Sequence, residues 1–136
     1  MTQIPNSAQL AFLLLILIAA VTDLRNRTIP NWLTGAGVVA GLIIAPIAAL
    51  KGAGLGLLIQ VPLFYFGFIG GGDVKLMAAS GALLGPGNFL LLFLFSAILE
   101  GVFAAGAVLI RRGRVKGLPR APFVAVAGLL LLVALR

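Results

Sequence analysis

The chain contains no cysteine, no histidine and only three acidic residues among its 136 positions. The first two absences exclude disulfides, thiol nucleophiles, Ser-His and Cys-His catalysis, and zinc sites built from the usual ligands. Carboxylates, hydroxyls and lysines are therefore the side chains left for catalysis. The sequence predicts neither a metal site nor another cofactor.

Charge of either sign is also scarce. Charged residues make up 10% of the chain, hydrophobic residues make up 62%, and the mean hydropathy is +1.21. A soluble domain has about 25% charged residues, so this chain has too little polar surface to be one. We predict an all-α, polytopic membrane protein, a bundle of about six transmembrane helices, with residues 1–136 forming one membrane-embedded domain. The first apolar run is expected to be a permanent helix, because no basic region precedes it as in a signal peptide.

Turn and charge signals divide the chain into six apolar segments. One of them, the fourth, is short: about 11 residues reach roughly 17 Å, little more than half of a hydrocarbon core of roughly 30 Å. Either the glycines before it dip into a water-filled notch, which we favour, or the bilayer thins around a short helix. The predicted segments are residues 5–22, 30–50, 54–69, 74–84, 89–110 and 119–135.

The basic residues predict an orientation. If all six segments span the membrane, eight lysines and arginines lie in loops on one side, against Lys51 and Arg136 on the other. The positive-inside rule then places the N-terminus outside and the loops with Asp23 and Asp73 in the cytoplasm. The formal charge of +7 indicates contact with anionic lipid headgroups rather than with nucleic acid. The eight residues are Arg25, Arg27, Lys75, Arg111, Arg112, Arg114, Lys116 and Arg120.

Two of the three acids lie where apolar runs meet polar loops. Asp23 follows the first run and opens a basic stretch, and Asp73 follows three glycines and begins the next helix. Placing a carboxylate near lipid costs free energy, so the few that occur in a membrane chain are functional candidates. At matching depth they could share a proton and activate water. Each has a structural alternative: Asp73 as a helix cap, and Asp23 as an ion-pair partner of nearby arginines.

The third acid, Glu100, lies near the middle of the fifth segment. A charged carboxylate exposed to lipid there costs about 2.5 kcal/mol or more. We therefore predict a structural hydrogen bond to a neighbouring helix, through a hydroxyl or a backbone carbonyl, with a part in substrate binding or gating as the alternative. Lys75, on a different helix face from Asp73, either snorkels to the headgroups or orients a substrate carboxylate.

Glycines recur at helical spacing in two places. Gly37 and Gly41 form one small-xxx-small pair, and Gly81 and Gly85 form another. Such pairs let the backbones of membrane helices approach closely. We predict close helix packing at both.

Three stretches, in order along the chain, resemble the type IV prepilin peptidases, a family of GxGD membrane aspartic proteases. Residues 70–76, Gly-Gly-Gly-Asp-Val-Lys-Leu, resemble its GxGDxKL motif. Asp23, followed by Ile-Pro-Asn at 29–31, resembles its first catalytic aspartate region, and Pro-Arg-Ala-Pro-Phe at 119–123 resembles its proline-phenylalanine stretch. The short chain is most similar to the peptidases of Flp, or tight-adherence, pilus systems.

The resemblance implies a membrane aspartic endopeptidase in the bacterial inner membrane, cutting the leader from prepilin-like precursors at the cytoplasmic face. Asp23 and Asp73 would be catalytic, one as general base on water and the other protonated and polarising the scissile carbonyl. Bifunctional members also methylate, using a cysteine-bearing domain, so methyltransferase activity is not expected here. The implied residues that bind substrate or shape the site are Gly70, Gly71, Gly72 and Lys75.

One alternative belongs to a different functional class. A small non-proteolytic membrane protein, either a proton-coupled transporter or an assembly scaffold, could use its acids to carry protons or hold helices together. A proton carrier should depend on Glu100, whereas a protease needs both Asp23 and Asp73.

Overall fold

A computed structural model describes residues 3–111 and 120–135, with side chains up to residue 109 in the first range. These residues are almost wholly helical and contain no strand. The helices are α1 Asn6–Asn26, α2 Asn31–Ile44, α3 Pro46–Tyr65, α4 Gly71–Arg111 and α5 Ala121–Ala134. Three of them, α1, α3 and α4, are long and apolar enough to cross a membrane, which confirms the predicted all-helical membrane fold.

Among the described residues the predicted count of six helices is one too high, because the fourth and fifth segments form the two arms of α4. Within α4, only Gly85 departs from helical geometry, with φ 74° and ψ 170°. A straight helix would separate Asp73 from Glu100 by about 40 Å. Their carboxylates nevertheless interact electrostatically. The chain therefore folds back at Gly85, where glycine tolerates the positive φ.

The two arms of α4 are named α4a, residues 71–84, and α4b, residues 86–111. Pro86 opens the second arm, since its missing N–H and fixed φ suit the first position of a helix. No loop separates the two arms, so the gap predicted between the fourth and fifth segments, at residues 85–88, is a sharp break at Gly85.

Other predicted boundaries were wrong by up to two turns. The first helix continues past residue 22 to Asn26, so Asp23 lies within its last turn rather than after it. The second helix ends at Ile44 instead of residue 50, because Pro46 opens α3 directly. Lys51, predicted in a loop, consequently lies in α3. The third helix ends at Tyr65 rather than at residue 69.

The connections between helices lie at two ends of the bundle. At one end, a mainly apolar cavity of about 600 Å³ is lined by the N-terminal residues, the α2–α3 junction and the Gly85 break. At the other end, a cavity of about 300 Å³ is lined by the α1–α2 connection and by the chain entering α4. We call the second one the aspartate cavity, because Asp23 and Asp73 both lie on it.

Glycines bring α2 and α3 into close contact with α4a. A methyl group on Gly41 would lie 2.5 Å from the carbonyl oxygen of Ala82, and Gly37 is also crowded by α1 and α4a side chains. Gly81 touches the backbone of Gly52 in α3. The predicted close packing is confirmed at Gly37, Gly41 and Gly81, and the remaining glycine of the two pairs makes the break instead.

Candidate active site

The aspartate cavity contains every residue that the sequence singled out for the site. Its lining comes from two stretches, one around the end of α1 and one around the start of α4, which the fold places side by side. The full lining is Asp23, Arg27, Thr28, Ile29, Asn31, Gly70, Gly71, Gly72, Asp73 and Lys75.

Asp23 is held by a helix distant in sequence. Its side chain is buried, and its Oδ2 accepts a hydrogen bond of 3.1 Å from the backbone N–H of Ala121, the first residue of α5. The first N–H groups of a helix have no partner within that helix, so a carboxylate from elsewhere satisfies one of them here. This contact was not predicted. Pro122 at the beginning of α5 marks a helix start, but it does not indicate which side chain binds there.

Asp73 lies in the first turn of α4 and accepts a hydrogen bond of 3.3 Å from the N–H of Gly70 at its Oδ2. A carboxylate at this position that reaches back to the preceding N–H is a helix-capping arrangement. Asp73 therefore acts as a helix cap, which was the structural alternative for this residue. The same carboxylate also lines the cavity and experiences the charge of Asp23, so capping does not remove it from the site.

Arg120, which was counted from the sequence as a loop charge and within the proline-phenylalanine stretch, lies beside these acids. Its Nε donates a hydrogen bond of 2.8 Å to Oε2 of Glu100, and its Nη2 lies 2.6 Å from the same oxygen as an ion-pair contact; the two side chains are 23% and 17% exposed. Arg120 also interacts electrostatically with Asp73. The predicted hydrogen bond of Glu100 is confirmed, but the expected partner was wrong. A guanidinium takes the place of the hydroxyl or carbonyl, because the start of α5 lies against α4b at this level.

All three acidic residues of the chain thus gather around the start of α5. Glu100 is ion-paired with Arg120, Asp73 experiences the charge of Arg120, and Asp23 accepts the N–H of the next residue, Ala121. Sequence reasoning grouped only the two aspartates. Among the described residues, no three metal-ligating side chains lie close enough together to hold a metal ion.

Lys75 does not pair with Asp73, in agreement with the predicted difference in helix face. Its Nζ donates a hydrogen bond of 2.8 Å to Oδ1 of Asn31, the first residue of α2. The side chain is exposed at the rim of the cavity. It therefore bridges the two stretches of chain that bring the aspartates together.

The three glycines before Asp73 are not required by the packing. A methyl group on Gly70, Gly71 or Gly72 would meet its nearest neighbour at 3.5 Å or more, which is ordinary van der Waals contact. None of the three has a positive φ. Their lack of side chains leaves backbone accessible beside the carboxylate.

The chain has similarity to known proteins over most of its length. Residues 10–105 match the type IV leader peptidase family. The chain is 34% identical over 129 residues to a prepilin leader peptidase/N-methyltransferase of Bacillus subtilis, covering 88% of this chain and 52% of that protein. It is 33% identical over 147 residues to the protein of the same description in Aeromonas salmonicida, covering 94% and 50%. The chain thus spans about half the length of these relatives. No solved structure matches it.

Proposed function

We propose that this chain, which belongs to the type IV leader peptidase family, is a membrane aspartic endopeptidase that removes the leader peptide from prepilin-like precursors. The observation that supports this most directly is the cavity shared by Asp23 and Asp73. The chain has no histidine or cysteine to serve as base or nucleophile, and two carboxylates on one cavity can activate water without them.

The two carboxylates divide the work of peptide hydrolysis. Like charges at short range disfavour full ionisation, so the pair can hold one shared proton. The ionised carboxylate takes a proton from water as the water oxygen attacks the scissile carbonyl, and the protonated one gives its proton to the carbonyl oxygen. When the tetrahedral intermediate collapses, the first carboxylate protonates the leaving amine and the second recovers its proton from the hydroxyl. The pair is then ready for another turnover.

The remaining cavity residues form the proposed substrate site. An extended peptide must bring its backbone within hydrogen-bonding distance of the carboxylates, and the glycines at 70–72 leave room for that approach. Lys75, fixed at the rim by Asn31, offers a cation that can orient a carbonyl or carboxylate of the substrate.

We place the aspartate cavity at the cytoplasmic face of the bacterial inner membrane, in a single membrane-embedded domain. Arg25, Arg27, Lys75 and Arg120 lie at this end of the bundle, and Lys51 lines the cavity at the other end. The excess of cations supports a cytoplasmic position next to anionic headgroups. A glycine-lined cavity also fits the notch expected beside the short fourth segment. Of the cations used for the predicted orientation, Arg112, Arg114, Lys116 and Arg136 lie outside the described residues, as does the side chain of Arg111.

No observation favours the transporter or scaffold alternative. A proton carrier should depend on Glu100, and this side chain is ion-paired with Arg120 next to the aspartates. The acids therefore form one site rather than a relay along the bundle.

Co-expression with a candidate prepilin tests the proposal. The precursor should become shorter only when the chain is present, as read by gel mobility, and N-terminal sequencing should show one cut before its hydrophobic segment. Because the chain has no cysteine, we also propose that it leaves the new N-terminus unmethylated, which mass spectrometry of the product measures. An unprocessed precursor beside a well-expressed, membrane-inserted chain would contradict the proposed activity.

A further inference from the structure

We propose that the ion pair between Glu100 and Arg120 positions the two aspartates by fixing the start of α5 beside them. This inference rests on the proposed function, because it assigns a positioning role around the same site. It gives a task to the third acid of the chain, which the hydrolytic chemistry does not use.

Two adjacent residues, Arg120 and Ala121, connect Glu100 to Asp23. Glu100 on α4b accepts a hydrogen bond from Nε of Arg120 and forms an ion pair with the same guanidinium. Arg120 immediately precedes α5. The next residue, Ala121, donates its N–H to Asp23. A shift of the α5 start would therefore lengthen the Asp23 contact directly. The same shift would move the guanidinium charge relative to Asp73.

Apolar packing alone does not set this position. Along its length, α5 packs through Gly128 against Phe12 and Ile16 of α1, and the rings of Phe103 and Phe123 lie 5.1 Å apart. Such contacts are non-directional and tolerate small sliding movements. Charge-assisted hydrogen bonds are short and directional, so the Glu100–Arg120 pair can fix the first turn of α5 where the hydrophobic contacts cannot.

Stability is a poor explanation for the pair. Replacing a buried ion pair by apolar residues of similar volume is often neutral or stabilising. Here the pair is also incompletely satisfied, since Oε1 of Glu100 and Nη1 of Arg120 are buried without a hydrogen-bond partner among the described residues. A pair that contributes little to stability, in a chain with only three acids, is better explained by a role in positioning the site.

The inference specifies which kinetic constant changes. Neither Glu100 nor Arg120 lines the aspartate cavity, so neither is expected to touch the substrate. Disturbing them should lower kcat and leave KM unchanged. A misplacement of about 1 Å can cost roughly 100-fold in rate, so we expect a loss of about 10- to 100-fold.

The test uses the full chain with a cleavable precursor. The double variant Glu100→Leu with Arg120→Met removes the pair without leaving a buried unpaired charge, so it should insert and resist heat like the wild type while kcat falls. Arg120→Lys, made with Glu100 unchanged, keeps a cation within reach of that carboxylate. Its kcat should therefore be well above that of the double variant. Lys51→Met is the matched control, because it removes one exposed cation at the other end of the bundle.

If the double variant fails to insert, Glu100→Asp decides the question. It keeps the charge but shortens the side chain by one methylene, which should draw Arg120 toward α4b and lower kcat several-fold with normal insertion. Wild-type kcat in the variant that inserts would overturn the inference. The inference would also be overturned if that variant lost thermal stability together with kcat and if Arg120→Lys were equally slow.

The two proposals fail in different ways. A wild-type chain that cleaves no precursor, or aspartate variants that still cleave, would remove the proposed function itself. A wild type that cleaves, aspartate variants that do not, and a pair variant with normal kcat would overturn only the positioning role of Glu100 and Arg120.

Discussion

Lys75 donates a hydrogen bond from Nζ to Oδ1 of Asn31 at 2.8 Å, which ties the start of α4 to the start of α2 at the rim of the aspartate cavity. Each partner lies near one of the aspartates in sequence: Asn31 follows Asp23 through the α1–α2 connection, and Lys75 follows Asp73 by two positions. The contact thus links the two stretches of chain that must come together for the carboxylates to act as a pair.

This contact predicts coupling between its two residues. Lys75→Met and Asn31→Leu should each slow precursor cleavage, and the double variant should be little worse than the more damaged single variant, because both remove the same bond. Hydrogen bonds involving a charged group contribute about 1.5–3 kcal/mol at most, and exposure at the rim places this one at the low end. A double-mutant cycle on kcat/KM measures the coupling. A lysine that only contacts lipid headgroups would give additive losses.

The glycines before Asp73 should matter for activity and not for folding. Gly71→Ala and Gly72→Ala meet no close neighbour, so both variants should insert and keep wild-type thermal stability in detergent. Cleavage should nevertheless slow, since a methyl group would occupy space that the substrate backbone needs. Initial rates on a precursor provide the measurement. Variants with unchanged rates would show that the substrate does not approach along this stretch.

Gly52 should behave in the opposite way. A methyl group there would collide with the backbone of Gly81, which cannot move aside without separating α3 from α4a. Overpacking of this kind typically costs about 1–3 kcal/mol, so Gly52→Ala should lower the thermal stability of the purified protein. Gly54→Ala is the matched control, because the same methyl group in the same helix meets nothing within 4 Å. Equal stability of the two variants would contradict the close α3–α4a contact.

The absence of native cysteine makes the orientation testable with single introduced thiols. Thr28 is exposed at the aspartate cavity and Gly87 is exposed at the opposite end of the bundle. We expect a membrane-impermeant thiol reagent to label Gly87→Cys in intact spheroplasts, and to label Thr28→Cys only after permeabilisation. The reverse pattern would place the aspartate cavity outside the cytoplasm.

The residues that meet at the aspartate cavity could be largely predicted from the sequence because acidic residues are so rare in this chain. With three acids and no histidine or cysteine, the position of Asp23 and Asp73 beside polar loops was a strong signal. The part played by the start of α5 could not be predicted, since Asp23 and Ala121 are 98 residues apart and a backbone N–H has no signature in sequence. The pairing of Arg120 with Glu100 was missed for a related reason: the two residues lie on separate helices, and the resemblance at 119–123 gives this arginine no role.

The errors in the fold came from local chemistry at single residues. Pro46 opens α3 after one non-helical residue, so the loop expected around Lys51 does not form. Gly85 reverses the chain by itself, so the two predicted segments follow each other as the arms α4a and α4b with no loop between them. Hydropathy located the apolar segments well, but their exact ends depended on proline and glycine geometry and not on hydrophobicity.

The most direct test of the central claim is the rate of precursor cleavage by Asp23→Asn and Asp73→Asn, each compared with the double variant. An amide can act neither as the base toward water nor as the proton donor to the carbonyl, so each single variant should lose essentially all cleavage while its expression and membrane insertion stay normal. The double variant should be no worse than either single one, because residues that act as one unit cannot be lost twice. Cleavage near the wild-type rate by either single variant would contradict an aspartate pair as the catalytic centre.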